Sequence, residues 1–194
     1  MPYRNMYFEA VKAVLDACVP SYAEQRGLPI SDVDSAIADH IRSTSAEHRN
    51  PDPDIDYNDP LCRLGYVYMH VGVNAALFER AIRLSDSLEA LINDRAGGEL
   101  SLCTVGGGPG TELLGLVKHC LTHDAMPSEI RFRILDNVYE WGETWGILAN
   151  ACREFVRGCG GDFPAMDRHF YPVDVVDSQS YSSFAWLLED VDIV

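Results

Sequence analysis

Apolar residues recur every three to four positions over residues 7–24, with Phe8, Val11, Val14, Leu15 and Cys18 on one stripe. That spacing predicts an amphipathic helix. Pro20 is expected to kink or end it, because proline lacks the amide that an inner turn needs. Val33, Ile37 and Ile41 form the stripe of a second helix, with Ser31 as its predicted N-cap. Residues 50–60, rich in proline and aspartate, break the periodicity and predict a loop. The helical period then returns over residues 61–84, with Pro60 suited to a first turn, and again over 86–95, stopped by Gly97-Gly98.

From Leu100 the pattern changes. A continuous apolar run to Val105 predicts a buried strand, Gly106 to Gly110 a tight turn, and residues 111–122 a helix. Residues 130–135 alternate and end in Asp136, which predicts a second strand with an acid at its tip. A helix follows to Gly158, then a third strand over 168–174 ending in Asp174. Residues 178–188 predict a further helix, and 190–194 the opening of a fourth strand. The fold class is therefore α/β. Right-handed crossovers place the strands in a parallel sheet of order 3-2-1-4. The expected organisation is a helical region, residues 1–96, followed by the sheet domain, residues 97–194.

Strand, glycine turn and helix together form the opening of a nucleotide-binding unit, since the helix N-terminus offers free amides and the glycines let a ligand approach the backbone. A dinucleotide fingerprint would want glycine or alanine at Thr111. The spacing Gly106-x-Gly108-x-Gly110 instead resembles motif I of the class I, Rossmann-like, S-adenosylmethionine-dependent methyltransferases. The resemblance covers residues 97–194 and looks like the N-terminal, cofactor-binding part of that family. It implies S-adenosyl-L-methionine as cofactor, with Gly106, Gly107, Gly108 and Gly110 as the backbone cradle. It implies Asp136 on the ribose, Asn137 and Val138 beside the adenine, with Tyr139 and Trp141 available to stack, and Asp174 on the adenine amino group. The reaction implied is in-line methyl transfer from the sulfonium to a nucleophile. Two features depart from the family pattern: Thr104 stands where an acid is common, and only four strands are supplied. The resemblance assigns no catalytic residue. Two alternatives stay open, a non-catalytic methyltransferase-like interaction module and an NAD-dependent oxidoreductase.

Charge narrows the partners. The chain carries a net charge of −15, and both halves are acidic. Neither offers the basic footprint that phosphate backbones require, so the methyl acceptor is expected to be a small molecule or a protein. A protein partner, or a missing C-terminal half, is the expected source of what four strands lack. No apolar run approaches the ~20 residues of a membrane span. Six scattered cysteines without a C-x-x-C pair predict reduced thiols and an intracellular, cytoplasmic or nuclear, protein. No metal site is expected. The aspartates of residues 50–60 lack the glycine and glutamate of a calcium loop, and His119 and His123 lack the H-E-x-x-H pattern and read as a solvated helix end.

The helix over 61–84 places Arg63, Tyr66, His70 and Asn74 on one face. Two readings stand side by side. Tyr66 and His70 are core-edge residues with satisfied hydrogen bonds, or the helix lies over the cofactor pocket and presents Tyr66, His70 and Asn74 to cofactor or substrate.

Overall fold

Three parallel strands organise the chain: β1 (Glu99–Val105), β2 (Glu129–Asp136) and β3 (Ala165–Pro172), in the order β1-β2-β3. The computed structural model describes residues 3–47, 50, 55–177 and 181–194. Leu102 pairs with Phe132, and Phe132 with Arg168. The two-residue period of the strands sorts their side chains. Leu100, Leu102, Ile130, Phe132 and Ile134 are fully buried in the main core, whereas Cys103 and Leu135 face a smaller cluster with Phe184 and Leu187.

The third strand begins three residues earlier than the pattern predicts and ends at Pro172, so Asp174 lies beyond it. The fourth strand is present only as a single parallel bridge between Leu102 and Ile193. The Cys103 amide donates to the Ile193 carbonyl at 2.9 Å, and the Ile193 amide to the Ser101 carbonyl at 3.1 Å. Asp192 accepts from the Ser101 amide at 2.9 Å and pairs with Arg95. The Arg133 guanidinium donates to the Leu187 carbonyl at 2.6 Å. These contacts hold the last residues against β1 and β2. Of the predicted helix over 178–188, residues 178–180 lie outside the described residues, and the rest is α8 (Tyr181–Phe184) with a 3-10 turn, Ala185–Leu188.

Helix α6 (Thr111–His123) connects β1 to β2, and α7 (Trp141–Gly158) connects β2 to β3. The N-terminal helices pack onto them and share their core. Helix α1 (Met6–Arg26) runs against α7. It passes through Pro20 and stops at Gly27, whose φ is +63°. The expected break does not form because Ala10, Val14, Val19 and Ala23 are buried on both sides of the proline, and packing outweighs the one lost hydrogen bond. Helix α2 (Ile30–Glu47) also differs from expectation. Its first amides donate to the Pro29 carbonyl, and the Ser31 hydroxyl bonds Asp32 at 3.3 Å instead of capping the helix. Part of the loop that follows, residues 51–54, lies outside the described residues.

The predicted helix over 61–84 is three pieces end to end. Helix α3 (Pro60–Tyr66) is capped by Asp59, which accepts from the Leu61 amide at 2.9 Å. A π-helical turn, Val67–Val71, follows, and then α4 (Gly72–Leu84). Helix α5 (Asp86–Asp94) is capped by Ser85. Helices α4 and α6 pack backbone to backbone. A Cβ built on Gly115 would lie 2.5 Å from the Ala75 carbonyl oxygen, so only glycine permits this approach. Beside it the Tyr7 hydroxyl donates to Glu79 at 2.7 Å, and Lys118 pairs with Glu79 at 3.0 Å. His119 is fully buried and stacks on His123 at 4.2 Å between ring centroids, so it is not part of a solvated helix end.

Candidate functional site

The turn between β1 and α6 is built from left-handed backbone. Gly106, Gly108 and Gly110 have φ of +65°, +50° and +73°, a region that disfavours residues with a Cβ. The space around each differs. A Cβ on Gly107 would strike the Thr104 hydroxyl at 2.2 Å, and one on Gly110 would strike the Trp145 ring at 2.5 Å and Ile134 at 2.7 Å. A Cβ on Gly106 would meet nothing within 4 Å. The turn therefore rests on Thr104, Ile134 and Trp145 and opens outward at Gly106.

Asp136 closes the turn from the neighbouring strand. One carboxylate oxygen accepts from the Gly108 amide at 2.8 Å and the other from the Val138 amide at 2.9 Å. Its side chain is buried and carries two bonds where an ionised carboxylate has about four acceptor positions. Val138 is buried, while Asn137 is exposed. The Val173 amide donates to the Asp136 carbonyl at 2.9 Å, which brings the residues after β3 to the same end of the sheet. Asp174 itself is exposed, and its carboxylate accepts from the Val176 and Asp177 amides at 3.0 and 3.3 Å.

Next to the turn stands an aromatic group contributed by two regions of the chain. Trp141, in the first turn of α7, lies 3.8 Å from a Cβ built on Gly108. The Tyr66 ring lies 5.4 Å from Trp141 and 5.6 Å from Tyr57, and the His70 ring 4.9 Å from Tyr66. Helix α3 and its π turn thus lie over the glycine turn. The Tyr66 hydroxyl accepts from the Asn74 amide nitrogen at 3.0 Å. In a regular α-helix eight residues span about 2.2 turns, which would leave Asn74 roughly 80° off the face of Tyr66. The wider π turn between them absorbs that offset. Burial pushes the Tyr66 hydroxyl pKa up, and the nearby Glu112 and Asp136 carboxylates add to the rise. Tyr57 is pushed up to about 12, again chiefly by burial. Tyr139 is 71% exposed and stands apart from this group, while Trp145 packs α7 onto Phe132 of the sheet.

Glu112 was not apparent as a site residue in the sequence. An acid in the first turn of a helix reads as a solvated partner of the helix dipole. Here Oε2 of Glu112 is buried without any hydrogen-bond partner, and burial pushes the carboxyl pKa up against the opposing pull of its own amide and the Thr111 hydroxyl. The one available signal was its setting, Gly110-Thr-Glu-Leu-Leu114, an acid enclosed by small and apolar residues.

The structure thus brings Gly106, Gly107, Gly108, Gly110, Asp136 and Val138 together with Trp141 and with Tyr66, His70 and Asn74 of the overlying helix, and adds Glu112. Asn137 and Asp174 share that end of the sheet but are exposed. Among the described residues no group of three or more histidine, cysteine, aspartate or glutamate side chains is arranged to hold a metal ion, and no helix is long and apolar enough to cross a membrane. Comparison of the chain with family models, curated proteins and solved structures returns no match.

Proposed function

We propose that this chain binds S-adenosyl-L-methionine and is a methyltransferase, or the cofactor-binding portion of one. One observation carries the reading: a left-handed glycine turn after β1 is joined to a buried carboxylate at the tip of the adjacent strand. The turn leaves open space at Gly106, where a ligand backbone contact costs no side chain. Asp136 keeps acceptor capacity for hydroxyl donors after serving two amides. Tyr66, half-buried and backed by the buried Trp141, gives an adenosyl group flat apolar surface. In this reading Ile193 begins a fourth strand beside β1, completing the order 3-2-1-4. The bound cofactor would supply an electrophilic methyl on a sulfonium. The residues named here would position it and exclude water, and the acidic surface favours a small-molecule or protein acceptor.

A second reading, a binding-only module that assists a partner protein, is supported by the engagement of both Asp136 oxygens with the protein's own backbone. An NAD-dependent oxidoreductase fits less well, because Thr111 occupies the position where close packing calls for glycine or alanine.

Isothermal titration of the chain with S-adenosylmethionine, S-adenosylhomocysteine and NAD tests these readings. The proposal expects micromolar binding of both adenosyl ligands and none of NAD. A folded protein that takes up neither adenosyl ligand, or that prefers NAD, removes it. Methyl transfer to added protein or small-molecule pools then separates enzyme from module.

A further inference from the structure

Helix α6 starts at the glycine turn and finishes at His123, roughly 18 Å away at 1.5 Å per residue. At that far end it meets the last turns of α4 and the residues before α1. The three segments border a cavity of about 610 Å³ lined by Arg4, Glu79, Arg83, Lys118, Thr122 and His123. That volume falls in the ~300–1,000 Å³ range of small-molecule pockets. The charge of the cavity is opposite to that of the chain. The protein carries 30 acids against 15 lysines and arginines. Three of those cations line this cavity, and Glu79 is the one carboxylate among its lining residues.

A cation near a helix C-terminus ordinarily answers the negative end of the helix dipole. Arg83 in the last turn of α4 and His123 in the last turn of α6 each fit that account singly. Arg4 does not, because it precedes α1 and belongs to neither helix. Lys118 is fixed in place. It pairs with Glu79 at 3.0 Å, and its Nζ lies 4.1 Å from the centroid of the Tyr7 ring. Glu79 is committed to that pair and to the Tyr7 hydroxyl, which donates to it at 2.7 Å. Arg83 is near enough for its charge to act on Tyr7, Glu79 and His119. Yet Arg4 and Arg83 form no ion pair and no side-chain hydrogen bond with any described residue. A chain with two acids for every base has no shortage of carboxylates. Two guanidinium groups left without one, brought to the same cavity from separate segments, leave donors for an anion that the protein itself does not supply.

We propose that the cavity between α4, α6 and the residues before α1 binds one phosphate group, with Arg4 and Arg83 as its principal ligands. A guanidinium presents its donors as a planar fork that matches pairs of phosphate oxygens, and Lys118 adds a fixed point of positive charge. Three cations against one carboxylate leave a local charge that suits a phosphate dianion. The net charge of −15 repels a polyanion, so the ligand is free phosphate or a phosphate monoester on a small molecule, not a nucleic acid. The site stands apart from the glycine turn and holds whether or not that turn takes an adenosyl ligand.

The test is calorimetry at fixed ionic strength with inorganic phosphate, phenyl phosphate and acetate. It compares the full chain with Arg4→Gln, Arg83→Gln and Arg80→Gln. Arg80 is exposed on α4 and does not line the cavity, so its loss changes the net charge alone. Thermal melts establish that each variant is folded. The original chain is expected to bind both phosphates and not acetate. Arg83→Gln and Arg4→Gln should each weaken both phosphates about tenfold, the scale of a hydrogen bond to a charged group, while Arg80→Gln binds as the original does. Tighter binding of phenyl phosphate identifies a small-molecule monoester as the ligand, and equal or weaker binding identifies free phosphate. The proposal fails if neither phosphate binds, if acetate binds as well as they do, or if Arg4→Gln and Arg83→Gln leave affinity unchanged. It fails equally if Arg80→Gln weakens binding as much as Arg83→Gln, since the effect is then one of overall charge.

Discussion

Oδ2 of Asp136 lies 2.8 Å from the Gly108 amide nitrogen, tying the tip of β2 to the turn that follows β1. The other oxygen holds the Val138 amide at 2.9 Å, so one buried side chain fixes two loops. Removing it strands two amides away from water. Asp136→Ala is expected to lower unfolding stability by about 1–3 kcal/mol, the cost of unmade buried hydrogen bonds. Asp136→Asn, which keeps one acceptor oxygen, should lose less. Urea denaturation of the three proteins measures the order. Equal stability of the alanine variant and the original would show that the loops hold without the carboxylate.

Two glycines in helices separate packing from propensity. Gly115 sits where α6 meets α4, with the Ala75 carbonyl 2.5 Å and the Glu79 amide 3.0 Å from any added Cβ. Gly146, in α7, has nothing within 4 Å of that position. Gly115→Ala should therefore destabilise by about 1–3 kcal/mol through forced separation of the helices. Gly146→Ala should stabilise by about 0.5–1 kcal/mol by restricting the unfolded chain and favouring helix. Thermal melts with opposite shifts check the pair. A stable Gly115→Ala protein would mean that α4 and α6 are not in backbone contact.

Glu112 sets a pH dependence with a definite sign. Burial holds its folded pKa above the usual 4.5. The folded state therefore keeps a proton that the unfolded chain releases, and stability falls as pH rises from about 4.5 through the folded value. Glu112→Gln removes that loss. The variant is expected to be more stable than the original at neutral pH, with the difference fading below the unfolded value. Denaturation midpoints from pH 4 to 7 measure it. A variant that is less stable at pH 7 would mean the carboxylate is already paired within the protein.

The parts that the sequence made legible were those set by neighbouring residues. The run Leu100–Val105, the glycine turn and the alternation before Asp136 each carry their own period or turn chemistry, so β1, α6 and β2 formed where the pattern placed them. What stayed hidden depends on contacts between distant segments. Pro20 reads as a helix breaker until the main core takes Ala10 and Val14 before it and Val33, Ile37 and Leu64 cover Val19 and Ala23 around it. His119 reads as a solvated end, yet it is fully buried. Glu112 reads as a dipole partner, yet one of its carboxylate oxygens is buried without a hydrogen-bond partner. The π turn leaves no mark on the apolar stripe, because Val67 and Val71 keep a helical spacing through it.

That π turn gives the cap a testable internal contact. It brings Asn74 under Tyr66, so that the amide nitrogen donates to the phenolic oxygen at 3.0 Å across eight residues. In a regular helix these two side chains would stand roughly 80° apart at opposite edges of the face they share. Tyr66→Phe removes the acceptor and keeps the ring against Trp141, and Asn74→Ala removes the donor. Each single change is expected to cost about 0.5–1.5 kcal/mol, and the double variant should cost less than their sum, since either change alone breaks the same bond. A double-mutant cycle on denaturation free energies yields the coupling directly. Additive losses would mean that Tyr66 and Asn74 act independently and that the π turn does not hold them in register. A favourable coupling, together with weaker adenosyl-ligand binding in Tyr66→Phe, would tie the irregular turn to the site it covers, because a wide turn sacrifices regular hydrogen bonding and persists where the side chains it positions are needed.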